Sequence, residues 1–189
     1  AIAFLMGLIS LVFGMMTSGF AASAISRKGT AGVRFMCQMP QKMETQLFAI
    51  LLPSMVLSMF GSILLLITLN FLFNVPFWAS LIFLASAFLG CLMENLIALL
   101  LDLINPSLVW DNEAAASKNN INPYISIGIN IVLIAVFAAP FIFWVVPALE
   151  AGSLDVLNTF AIGSAVLMAV VCAGFYIYIV KTARRHLME

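Results

Sequence analysis

Charge is the scarcest thing in this sequence. Only 8% of its 189 residues are charged, where a soluble domain carries roughly a quarter. Too few ionic side chains are present to cover a water-facing surface. Histidine is nearly absent as well: His186, close to the end, is the single one. The three cysteines, Cys37, Cys91 and Cys172, are odd in number and lack CxxC spacing, which argues against a disulfide framework and against a zinc site. No GxxxxGK[ST] phosphate loop, HExxH or GxSxG occurs. Catalytic residues, a metal, a cofactor and a nucleic-acid partner are therefore not expected, and any nucleotide that drives this protein must be hydrolysed on another chain. The chain opens on Ala1 and runs straight into apolar sequence, without initiator Met or a basic leader. That is the pattern expected of the C-terminal piece of a longer chain.

What is there is apolar. Hydrophobic residues make up 64% and the mean hydropathy is +1.16, a composition that places the chain in a membrane. Crossing ~30 Å of hydrocarbon takes about 20 apolar residues in a helix. Runs of that kind fall at about 2–22, 47–73, 76–103, 125–146 and 154–180. The expected fold is all-α, a single polytopic transmembrane helical bundle with about five spans. The second and third runs form a tight hairpin across 74–76.

Lys and Arg in loops near spans stay in the cytoplasm. With the loop 23–46 inside, alternation through five spans puts all eight basic residues inside: Arg27, Lys28, Arg34 and Lys42 in that loop, Lys118 in the loop 104–124, and Lys181, Arg184 and Arg185 in the tail 181–189. The external links carry only Glu150 and Asp155 as charges. So clean a sorting predicts the orientation.

Both inner loops have local structure in their sequence. In the first, a helical continuation to Lys28 is expected to break over 29–32, and Pro40 to open the next helix. Between them Val33, Phe35 and Met36 are apolar outside any span. They fit either an interfacial segment lying on lipid or a docking element for a soluble partner. In the second loop Asn105 can cap a turn beginning at Pro106, and Asp111 can cap a short helix over 112–118. Glu113 would sit in its first turn and Lys118 in its last, matching the helix dipole. Trp110 is expected at headgroup level.

Glu94 is the one ionisable residue deep in a span, ~12 Å from the cytoplasmic end at 1.5 Å per residue. Asn95 adds a polar neighbour. The pair reads either as part of a substrate or coupling pathway or as a hydrogen-bonded structural element. In the last span Ala161, Ala165, Ala169 and Ala173 form a small-residue stripe expected to pack against a neighbouring helix.

Two stretches carry a family likeness. "DLINPSLVWDNEAAASKNN" resembles an Asp-Leu-x-x-Pro-x-Leu-x-Trp-x-x-Glu-x-x-x-x-Lys-x-Asn pattern of bacterial ABC-2-type ABC transporter permeases, matched by Asp102, Leu103, Pro106, Leu108, Trp110, Glu113, Lys118 and Asn120. "AISRKG" resembles the Ala-Ile-Ser-Arg-Glu-Gly start of that family's cytoplasmic loop, matched by Ala24, Ile25, Ser26, Arg27 and Gly29. Two positions depart: Lys28 stands where Glu is usual and Ser107 where Lys is usual, so charge pairing with a partner is expected to differ in detail.

The resemblance implies the C-terminal portion of a permease in the bacterial plasma membrane, working as a dimer and exporting its substrate. ATP hydrolysis would take place on a separate ABC ATPase subunit. It further implies that the loop 23–46 docks on that ATPase through Arg27, Lys28, Arg34, Phe35 and Met36, with the motif of the second loop nearby. The alternatives are an intramembrane enzyme built around Glu94, or a passive membrane assembly protein.

Overall fold

Between 47 and 73, and again between 77 and 104, apolar side chains point in every helical direction. Such a helix has no face for water and must be covered by protein or lipid. The helix is also the form that satisfies its own backbone N–H and C=O groups inside hydrocarbon. In the computed structural model, residues 21–73, 77–110, 120–147, 151 and 154–188 are described. A 3₁₀ turn (Ser26–Lys28) leads into α1 (Gly29–Gln38), followed by α2 (Met43–Phe73), α3 (Phe77–Ile104), α4 (Asn122–Pro140) and α5 (Leu154–Met188). Pro140 has no N–H to continue the ladder, and a π turn (Phe141–Val145) follows it directly.

The described residues contain no strand, and the protein is an all-α helical bundle. Four stretches, Met43–Leu72, Ser80–Ile104, Asn122–Val145 and Ile162–Ala183, are long and apolar enough to cross a membrane, as in a membrane protein. The first expected run, 2–22, lies outside the described residues except for its last two positions. The turn at 74–76 and the short helix expected at 112–118 also lie outside them.

α3 is the centre of the bundle. It packs most extensively on α5, then on α2 and α4, and every residue from 93 to 99 is buried, so all its sides are covered. Leu96, Leu99 and Leu103 pack with Leu47 and Leu51 of α2 and Met168, Cys172 and Ile179 of α5. The outer faces carry large apolar side chains, among them Phe60, Phe71, Val132, Phe143 and Ile177. Faces this apolar suit a membrane rather than water.

Several local expectations are corrected. The inward face of α5 is Met168, Cys172, Ile179 and Ala183, while Ala169 and Ala173 of the alanine stripe are exposed. No helical turn starts at Pro106, and residues 106–110 run without regular structure, with the Ser107 N–H and the Trp110 indole N–H bonded to Ser26. The break expected over 29–32 shrinks to Gly29 alone, at φ 62°, and α1 continues through Gly32. The second span begins at Met43, three residues after Pro40.

Candidate functional site

At the last turn of α3 the carboxylate of Asp102 is fully buried, and five donors converge on it. Oδ2 accepts the backbone N–H groups of Ile25 at 2.6 Å and Ser26 at 3.0 Å. Oδ1 accepts the Ser26 hydroxyl, the Asn120 Nδ2 at 3.3 Å and the Asn122 Nδ2 at 3.1 Å. The two backbone donors belong to the start of the 3₁₀ turn, where N–H groups have no partner of their own. An anion there is held as at a helix N-terminus, by fixed dipoles rather than by a counter-ion. The carboxylate's acceptor sites are filled in this way without any lysine or arginine.

The remaining bonds join four segments into one knot. The Ser26 hydroxyl accepts the Ser107 N–H at 2.9 Å, and the Ser26 carbonyl accepts the Trp110 Nε1–H at 2.9 Å. Asn122 donates through Nδ2 to the Asn105 carbonyl at 2.8 Å and through its N–H to Asn120 Oδ1 at 2.9 Å. Asn120 also reaches the Ala22 carbonyl at 3.5 Å. Trp110, expected at headgroup level, is thus held by the protein, with its ring against Gly29: a Cβ on that glycine would stand 3.3 Å from Trp110 Cζ2. The positive φ favours glycine here, and the indole leaves little room for a Cβ.

α1 folds back on the bundle. Val33 and Met36 face the core, and Gln46 of α2 clamps the end of the helix by donating to the Met36 and Gln41 carbonyls, both at 3.2 Å. Met36 is 4% exposed while Phe35 is 60% exposed. Of the two apolar residues considered for docking, only Phe35 can meet a partner without unfolding the helix. Arg27, Lys28 and Arg34 are exposed on the same segment, and Arg27 Nε also donates to the Ser23 carbonyl at 3.3 Å.

Of the motif residues in the second loop, Asp102 and Asn120 are in the knot, Trp110 bonds to it, and Pro106 lies beside it, half-buried. Glu113 and Lys118 lie outside the described residues. Asn122 is a member that the sequence reading passed over. Its signal was the following Pro123, since Asn before Pro marks a helix start. In the sequence Ser26 stands out only as part of a matched string, yet it makes more of the knot's bonds than any residue but Asp102.

Glu94 and Asn95 stand apart from this cluster, both buried in mid-α3. Asn95 Nδ2 donates to the Cys91 carbonyl at 2.8 Å and to its sulfur at 3.3 Å. Among the described residues no group of three or more His, Cys, Asp or Glu comes together as a metal site. Comparison with protein-family models, with curated proteins and with solved structures finds no match for this chain.

Proposed function

We propose that this chain is the membrane-spanning part of an ABC-2-type permease in the bacterial plasma membrane. It works as a dimer that exports its substrate, driven by ATP hydrolysis on a separate ATPase subunit. One observation supports this reading above the others. The two stretches that carry the family likeness, around Ser26 and from Asp102 to Asn120, are remote in sequence and meet in one buried hydrogen-bonded knot. Of the matched residues that are described, Ser26, Asp102, Trp110 and Asn120 are joined in it, which supports reading the two stretches as one motif.

The knot also gives the proposed coupling a mechanical basis. α1 follows the 3₁₀ turn without a linker, and the turn is bound to the end of α3 through Asp102. A push on Phe35 or Arg34 by an ATPase on the cytoplasmic side passes through α1 into the central helix, which touches α2, α4 and α5. The exposed apolar Phe35 beside basic Arg34 supplies an anchor and a steering charge.

The test uses the reading frame beside this one. If it encodes a protein with a phosphate loop, the two are co-expressed, purified in detergent and reconstituted in vesicles. A stable complex whose ATP hydrolysis depends on the permease is expected. Failure of the two to bind, with hydrolysis unaffected by the permease, would return the chain to the class of passive assembly proteins.

A further inference from the structure

Glu94 lies two turns from Asp102 along α3, ~12 Å away, and is 1% exposed, yet its Oε2 has no hydrogen-bond partner. Asn95 beside it is fully buried, and its Oδ1 has none either. The Cys91 thiol joins these two residues to α2, with Ser58 and Asn95 as hydrogen-bond neighbours and the Glu94 carboxyl within electrostatic reach. Orphaned polar atoms at such depth are uncommon, because each costs free energy that folding must recover elsewhere.

A line of polar residues leads from the knot toward this place. Asn122, Ser126 and Asn130 recur every four residues on α4, and all three are buried. Asn122 bonds to Asp102 where α3 ends and α4 begins, so the two packed helices run antiparallel from that bond. At 1.5 Å per residue Ser126 then stands near the level of Ala98, and Asn130 near that of Glu94. The Ser126 hydroxyl is a further buried group without a partner.

Nothing basic in these segments can neutralise Glu94. No Lys, Arg or His occurs between 43 and 117 or between 119 and 180. On the helices packed against α3 the buried polar side chains are Ser54 and Ser58 of α2, Ser126 and Asn130 of α4, and Cys172 of α5, whose thiol donates to the Leu89 carbonyl at 3.6 Å. Cys91 on α3 and Cys172 are the titratable groups among them, and neither supplies positive charge. An unpaired carboxylate at this depth costs several kcal/mol, and the two unpartnered oxygens at the site, Glu94 Oε2 and Asn95 Oδ1, are both hydrogen-bond and cation acceptors.

We propose that Glu94, with the side-chain carbonyl of Asn95, forms an exchangeable intramembrane site for a single positive charge, a proton or an alkali-metal cation, reached along the polar face of α4. One carboxylate among neutral oxygens cancels one charge and no more, and oxygen donors suit hard cations. The site does not depend on an ATPase, so it stands or falls separately from the transporter reading.

The experiment follows thermal unfolding of the purified full chain in detergent from pH 5 to 9, in choline chloride alone and with added sodium, potassium or lithium chloride. In wild type the midpoint rises by roughly 5–10 °C at a hundredfold excess of the occupant over its Kd. A rise with alkali cation at high pH identifies the cation, with Asn95→Ala weakening the response. A rise on acidification that ignores alkali identifies the proton. Glu94→Gln loses either response. A second readout on wild type covers failure of that variant to fold: modification of Glu94 by a hydrophobic carbodiimide, read by mass spectrometry of its peptide. Modification that falls as pH rises, or that alkali cation suppresses, supports the site. A wild-type midpoint and Glu94 modification both insensitive to pH and alkali overturn it, as does a response retained by folded Glu94→Gln.

Discussion

Asp102 and Glu94 are buried acids on the same helix, two turns apart, yet five N–H and O–H groups converge on Asp102 while none reaches Oε2 of Glu94. The contrast follows from what a helical bundle can offer at each level. At the end of α3 the chain turns, and turns release backbone donors that no helix consumes. In mid-span the surrounding helices have spent their backbone groups on themselves, leaving only side chains to meet a carboxylate. An acid at the end of a span can be neutralised by the fold itself. One in the middle needs an agent from outside the helices.

The largest expected effect tests the saturated end of this comparison. Asp102→Ala leaves five neutral donors facing a cavity and should lower stability by about 3 kcal/mol or more, since each buried donor left without a partner costs about 1–3 kcal/mol. Thermal unfolding in detergent measures it. A loss under about 1 kcal/mol would mean the knot forms without holding anything.

The next tests the open end. Glu94→Lys places an unmatched cation in mid-span, at a cost of about 2.5–3.5 kcal/mol, and should reduce the yield of monodisperse protein in size-exclusion chromatography. Glu94→Gln keeps the shape and most hydrogen-bonding capacity, so its stability should fall by no more than about 1 kcal/mol. Equal damage from both would abolish the distinction drawn here, because Glu94 would then be as structurally fixed as Asp102.

Smaller effects locate the edge of the knot. Gly29→Ala forces a Cβ into a backbone at φ 62° and against the Trp110 ring, for about 1–2 kcal/mol of lost stability. Loss of that amount in wild type but not in a Trp110→Ala background would put the cost on the indole contact, whereas equal loss in both would put it on the backbone. Phe35→Ala, on the exposed side of α1, should leave folding within about 0.5 kcal/mol of wild type. It should weaken ATPase binding by about 1–3 kcal/mol, read as recovery of the ATPase in co-purification at matched expression. Unchanged recovery would leave α1 as a lipid-surface helix.

Much of the fold was legible. Runs of apolar sequence predict spans because lipid demands length and hydrophobicity, and the four spanning helices described here overlap the expected 47–73, 76–103, 125–146 and 154–180. The sidedness of side chains was less legible. The resemblance pairs Met36 with Phe35 as outward anchors, yet adjacent residues on a helix point about 100° apart, and which of them falls on the covered side depends on how α1 lies against the bundle. The alanines of α5 looked like a packing stripe on spacing alone, yet that helix is apolar all round, so its pattern cannot say which face meets protein and which meets lipid. In the site, Asp102, Trp110 and Asn120 were legible as members of one string, and their convergence with Ser26 was not.

The sequence by itself determined the material of this protein: helices, because unbroken apolar runs of about 20 residues suit a form that satisfies its own backbone in an apolar medium, and acids in the spans with no basic residue near them in the chain. Only the tertiary structure decided which of those acids would be matched. The donors on Asp102 come from residues 18 to 77 positions away, and their meeting depends on how the connecting segments fold back on the end of α3. No local pattern encodes that, because hydrogen-bond partners are chosen by proximity in space. Glu94, eight residues earlier on the same helix, lies beyond the reach of those turns.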